Sequence, residues 1–313
     1  MITSTPLSTM TTTSHKSSPG LDFNADIYVT NLMKAGNIAD YEIGMDLNSL
    51  LHHWIHQGLD RPILASTVDS RKSFLSLIDT NVSRLLEIGP FFNPAFKCND
   101  GSIKYADLLS TEQLIERAQA IGGATDSVPN IDYIYKDGGI NTSGARFDAV
   151  FSSHVVEHQP SLVGHILNVL DLLENDGKYF FIVPDHRFCF DCYMTPSSLA
   201  DVLAAHFERR VKPTLKSVFE HRLFTIDFTQ LPHSNPFEKL VDHAVPGMQA
   251  ALHEFNANSY VDVHCWYFTP KTLKISLDNC IAFGVLPSNL RVSVFPLKSE
   301  IGCIIEKQTS LSV

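Results

Sequence analysis

Long apolar runs are missing from this 313-residue chain. No stretch approaches the ~20 consecutive apolar residues that cross a bilayer, so a helical membrane span is not expected. Clustered basic residues are missing too. The 24 Lys and Arg stand against 34 Asp and Glu, a formal net charge of −10 with no basic stripe. A protein that tracks nucleic-acid phosphates needs such a stripe, so that partner is disfavoured. Cysteine is sparse, with six residues at 98, 189, 192, 265, 280 and 303. That excludes a disulfide-stapled scaffold and fits a reducing, cytoplasmic compartment. Residues 1–20 carry no acid, no arginine and no apolar h-region. A secretory signal is therefore not expected; a transit peptide stays open on composition, and a disordered Ser/Thr/Pro-rich tail is the favoured reading.

What is present is a 44% hydrophobic chain, enough to bury one sizeable core with an added lid. Residues 21–82 read as a helical cap. Leu47, Leu50, Leu51, Trp54 and Ile55 recur on one face, and Phe74, Leu75 and Leu77 form a second apolar cluster. Met33, His52, His53 and His56 could line a pocket there, but an amphipathic helix with a wet polar face is favoured. Short apolar runs then alternate with helical patterns. The expected strands are 84–88, 103–107, 131–135, 147–151 and 179–183, with helices opening at Ser110-Thr111 and Pro160-Ser161, the latter closed by Asn175-Asp176-Gly177. Near-continuous apolar strands imply a parallel sheet covered on both faces. Residues 185–260 break the rhythm with five prolines and scattered histidines. They read as a lid inserted between the core segments 83–184 and 261–313. Thr269-Pro270 opens a last helix, and 290–295 with 301–306 close as an antiparallel hairpin.

In an open α/β sheet the ligand crevice lies at the carboxyl ends of the strands. Here those ends are polar: Glu87/Gly89, Asp107, Asp137/Gly138, Ser152–His154 and Pro184–Arg187. The stretch Glu87-Ile88-Gly89-Pro90, the strand-end acid Asp107 eighteen residues beyond Gly89, and Phe147-Asp148-Ala149-Val150 followed by Glu157-His158 resemble the class I S-adenosylmethionine-dependent methyltransferases. The resemblance covers about residues 83–186 and 265–306. It implies an α/β fold with a Rossmann-like, seven-stranded, mostly parallel sheet and a C-terminal antiparallel hairpin. It also implies S-adenosyl-L-methionine as cofactor. Glu87, Gly89 and Pro90 would then form the loop around the methionine moiety. Asp107 would take the ribose hydroxyls and Asp137 with Gly138 the adenine, with Ser153 and His154 completing the contacts. The loop departs from the family pattern in having Pro90-Phe91-Phe92 where many members have glycines. Two further segments, Val183–Asp191 and Asp262–Pro270, resemble a subgroup linked with glycan and polysaccharide biosynthesis.

Methyl transfer is an in-line displacement in which alignment of acceptor, methyl and sulfur supplies most of the rate. A hydroxyl acceptor also calls for a base, and histidine suits it. His154 is the first choice, with His186 and His158 behind it; each has a structural hydrogen-bonded role as its alternative. Asp185, Arg187 and Trp266 are candidate contacts to a small polar acceptor, although Asp185 and Arg187 could pair with each other and Trp266 could anchor the core. No metal is expected. His154, Glu157 and His158 lack the leading acid of the metal-holding pattern in quinone O-methyltransferases, and Cys189-Phe190-Asp191-Cys192 reads as packing cysteines. The expected activity is O-methylation of a saccharide or metabolite hydroxyl. The alternatives are a small-molecule N- or C-methyltransferase and a catalytically silent binding module.

Overall fold

In the computed structural model the described residues are 25–34, 67–80, 84–97, 102–136, 139–226, 244–257 and 260–308. Their framework is one eight-stranded sheet: β1 (Leu85–Ile88), β2 (Ile103–Asp107), β3 (Tyr133–Lys136), β4 (Gly139–Ile140), β5 (Phe147–Ser153), β6 (Leu173–Pro184), β7 (Leu290–Leu297) and β8 (Glu300–Lys307). The spatial order is β4-β3-β2-β1-β5-β6-β8-β7. β1 pairs in parallel with both β2 and β5, β2 with β3 and β5 with β6, while β8 runs antiparallel between β6 and β7. Seven of these strands correspond to the seven expected. The eighth, β4, is a two-residue edge strand antiparallel to β3. All four residues of β1 are buried, as a central strand covered on both faces must be.

Six of the eight described helices begin at hydroxyl caps that satisfy their first amide groups. The eight are α1 (Ala25–Lys34), α2 (Arg71–Leu75), α3 (Thr111–Ala120), α4 (Leu162–Leu172), α5 (Leu199–Phe207), α6 (Leu215–Phe224), α7 (Ala244–Asn256) and α8 (Pro270–Ala282). Ser110 forms a capping box with Gln113, Ser161 caps α4, and Thr269 caps α8 with Pro270 in its first turn. One boundary differs from expectation. Helix α4 ends at Leu172, before the Asn175-Asp176-Gly177 stop signal, and β6 begins at once: Leu173 pairs Phe147, then Lys178 pairs Ala149 across an irregular register. The chain is drawn so close at Gly177 that a Cβ there would meet the Phe147 carbonyl oxygen at 2.9 Å. Glycine thus serves a strand irregularity instead of ending the helix.

The core lies on both faces of the sheet. One side gathers α4, α5 and α8 around residues such as Val150, Ile166, Phe181 and Leu273, and the other packs Phe74 of α2 and Ile78 just beyond it. From the expected cap, α1 and α2 are described; the apolar face at Leu47–Ile55 and His52, His53 and His56 lie outside the described residues. In the expected lid, α6 and α7 are joined by a two-pronged Arg222–Glu254 pair (2.7 and 2.6 Å) over a small cluster of Val218, Ala251, Val261 and Val263. Among the described residues no helix is long and apolar enough to cross a membrane.

Candidate functional site

The sheet order reverses between β1 and β5: β2 and β3 lie on one side of β1, and β5 and β6 on the other. Such a switch point opens a crevice at the carboxyl ends of the strands. A cavity of about 700 Å³ occupies it, within the range of small-molecule sites. Gly89, Phe91, Asp107, His154 and His158 line it from the core, and Lys212, Tyr260 and Asp262 from the side of the expected lid.

Gly89 follows β1 with φ +70°, the left-handed region that glycine alone enters freely, and a Cβ there would sit 2.5 Å from Val155 Cγ2. Its loop is braced from beneath. Glu87, 3% exposed, accepts the N–H groups of Ala95 (2.7 Å) and Phe96 (3.2 Å). Burial pushes its carboxyl up to about 7, against the pull of those two N–H groups and of Arg71. Glu87 therefore points into the loop, and Pro90 is buried with it. Phe91 reaches the cavity with φ +44°, its ring 4.6 Å from Phe92 and beneath the Arg117 guanidinium at 5.3 Å.

Asp107 is half-buried at the end of β2, and its Oδ1 accepts the Leu109 N–H at 3.1 Å. Burial raises its pKa, opposed by N–H donors from Leu109, Leu108 and Phe91 and by the charge of Arg117. Ser110 supplies the cap of α3, so Asp107 is not used there. Asp137 and Gly138 lie outside the described residues.

At the end of β5, His154 has φ +54° and a ring 44% exposed. Its Nε2 is 2.8 Å from Glu300 Oε1 and its Nδ1 3.2 Å from Glu157 Oε1. Burial alone would lower its pKa, but the two carboxylates outweigh that and hold it at about 9. Both nitrogens are thus engaged, an arrangement suited to holding a proton more than to taking one. Glu300 also receives Arg71 Nη1 at 2.8 Å, while Arg71 Nη2 donates to Ser153 Oγ at 2.8 Å. Across the cavity, Asp262 meets Arg117 (2.7 Å), His158 Nδ1 (3.0 Å) and the Tyr260 hydroxyl (3.2 Å). The His158 contact, with Arg117 behind it, keeps the Asp262 carboxyl well below the usual carboxylate range despite its burial.

Glu87, Pro90 and Ser153 lie behind the cavity wall without lining it, and four further expected site residues stand apart from this crevice. Asp185, 1% exposed, is held by Arg187 Nε (2.9 Å) and Nη2 (2.5 Å), so the two pair with each other. His186 is 5% exposed and donates its backbone N–H to Phe268. Trp266 is 3% exposed, lies parallel to Phe268, and donates Nε1–H to the Gln159 carbonyl at 2.6 Å. Its ring is part of the core and offers the crevice no face. Arg71, Arg117, Tyr135, Tyr260 and Glu300 went unmarked in the sequence although they line or support the site. Only Arg117 had a readable signal: it falls three residues after Leu114 on the helix that follows Asp107, and both line the cavity.

Fold and site together define a Rossmann-like α/β protein with a ligand crevice at its switch point. No protein-family model matches the chain, and no curated protein matches it. Among solved structures it is similar to DhpI in complex with SAH (12% identity over 91% of this chain and 97% of that one, TM-score 0.34). It is also similar to an S-adenosylmethionine-dependent methyltransferase from Clostridium acetobutylicum ATCC 824 (11%, 84% and 99%, 0.38) and to the CcbJ methyltransferase from Streptomyces caelestis (10%, 75% and 87%, 0.37).

Proposed function

We propose that this chain is an S-adenosylmethionine-dependent methyltransferase that methylates a small polar acceptor, a hydroxyl of a saccharide or related metabolite. The observation that carries the reading is the pairing of Gly89 and Asp107 on one switch-point cavity. Gly89 lets a ligand approach the backbone where a side chain would fill the cradle. Asp107 offers a half-buried carboxylate that can accept from two vicinal hydroxyls of a ribose at once. Phe91 and Leu108 give the same wall an apolar surface. These residues fit the cofactor, which when bound supplies an electrophilic methyl on a sulfonium.

The chain's own part is alignment and exclusion of water. From the lid side Val211, Lys212, Pro213 and Tyr260 close on the crevice, and Asp262 just past the lid's end meets Arg117, His158 and the Tyr260 hydroxyl. His154, its ring fixed by Glu157 and Glu300, gives the acceptor a positioned, partly exposed wall of the crevice to lie against. An N- or C-methyltransferase of small molecules would use the same crevice, and a silent module would bind the cofactor without transferring from it. The five described cysteines are free thiols, as suits the cytoplasmic location we assign. The test is methyl transfer itself: the chain is incubated with cofactor and a panel of glycan precursors and small metabolites, and products are weighed by mass spectrometry. A gain of one methylene on a hydroxyl compound supports the reading, and His154→Gln should lower that turnover far more than cofactor affinity. Binding without any transfer across the panel would favour the silent module.

A further inference from the structure

Behind His158 the fold assembles a cluster that extends beyond the methyl-transfer site and shares only Glu157 and the wall residue His158 with it. Glu157 is 1% exposed; His154 Nδ1 pairs with its Oε1 at 3.2 Å without forming an aligned hydrogen bond, and neither carboxylate oxygen has a hydrogen-bond partner. Burying an uncompensated carboxylate is costly unless a cation or donors face it. One ligand atom each from Glu157, His158 and His264 lies within 4.8 Å of the others. His264 is 4% exposed, and its Nδ1 lies 2.6 Å from Oδ2 of Asp191, itself 1% exposed. An ionised carboxylate only accepts, so Nδ1 carries the hydrogen and Nε2 the lone pair. A carboxylate gripping the far nitrogen of a histidine is how proteins present that ring to a metal. The segments are tied together as well: the Glu157 carbonyl accepts the Cys265 N–H at 2.6 Å.

We propose that Glu157, His158 and His264 form a binding site for a divalent transition cation, Zn²⁺ foremost, with Asp191 orienting His264. Two imidazoles and one carboxylate form a borderline donor set that suits zinc and leaves a coordination position open. A hard cation such as Mg²⁺ or Ca²⁺ would call for oxygen donors throughout. The bound ion would pin the turn after β5 to the segment before α8, fixing the crevice wall that His158 lines. The sequence half-hides the site because Glu157-His158 matches a metal-holding pattern only in part and His264 comes from a distant segment. Two competing accounts exist. His154 Nδ1, 3.2 Å from Glu157 Oε1, could balance the charge as an imidazolium with no metal at all. Cys189, Asp191 and His264 form an alternative ligand set in the same region.

The test uses the untagged full-length chain, stripped with chelator, reloaded with Zn²⁺, desalted and assayed by elemental analysis and thermal melting. The proposal expects about one zinc per chain and a higher melting temperature on loading. Glu157→Gln and His264→Gln should each lose the ion, and Asp191→Asn should weaken it about 10- to 100-fold. A folded wild type that retains no zinc overturns the site in favour of the imidazolium. So does a Glu157→Gln protein that keeps its zinc, or a thiolate-to-cobalt charge-transfer band on Co²⁺ substitution, which would put the metal at Cys189. Cofactor binding is measured separately, so failure here leaves the methyltransferase reading standing, and the reverse holds.

Discussion

Gly89 is the residue whose identity the crevice constrains most. Its φ of +70° alone would cost an alanine about 1–2 kcal/mol, and Val155 Cγ2 leaves no room for the added carbon. Gly89→Ala should therefore lower the urea midpoint and also weaken ligand binding. Two buried groups set opposite pH dependences. Glu87, held at about 7, keeps a proton in the folded state that the unfolded chain releases near 4.5, so its contribution is lost as pH rises from about 4.5 to 7. His165, 2% exposed with Nε2 2.9 Å from the Tyr179 hydroxyl, is lowered by burial to about 4. The unfolded chain takes up that proton first, so its contribution is lost as pH falls from about 6.5 to 4. Each is worth about 3 kcal/mol across its window. Denaturant titrations at several pH values should show the first slope vanish in Glu87→Gln and the second in His165→Gln.

At the scale of elements, α2 shows how little local sequence has to do when packing is strong. Five residues are too few for a stable helix alone. Its Ser70–Ser73 capping box and the complete burial of Phe74, whose ring lies 6.2 Å from Phe180 and 5.7 Å from Phe295, hold it in place. Phe74→Ala should cost about 3–5 kcal/mol in denaturant unfolding and loosen the neighbouring Arg71–Glu300–His154 chain. The apolar cluster of Phe74, Leu75 and Leu77 was visible in the sequence, but its hierarchy was not: Phe74 is fully buried while Leu77 is 44% exposed. Likewise the hydroxyl caps at Ser110, Ser161 and Thr269 were readable because capping is local chemistry. The start of β6 was not, since the bulge at Gly177 is fixed by the neighbouring strand.

Across the whole molecule, the sheet was legible because central parallel strands need apolar residues on both faces and polar residues where they end. Asp107, Gly89 and His154 could be marked from that rule alone, and all three line one cavity. Partners far apart in sequence were beyond it. Arg71 meets Glu300 across 229 positions, and Arg117 meets Asp262 across 145. The same limit left Asp185, Arg187 and Trp266 open between acceptor contacts and internal partners; in the fold Asp185 and Arg187 pair with each other and Trp266 packs in the core. As proposed, this crevice takes S-adenosylmethionine through Asp107. Isothermal calorimetry with S-adenosylmethionine and its demethylated product tests it most directly. The account predicts saturable binding of both, weakened at least about 100-fold in a folded Asp107→Ala chain as charge-assisted hydrogen bonds are lost. Absence of heat with either ligand, or full affinity in Asp107→Ala, would contradict it.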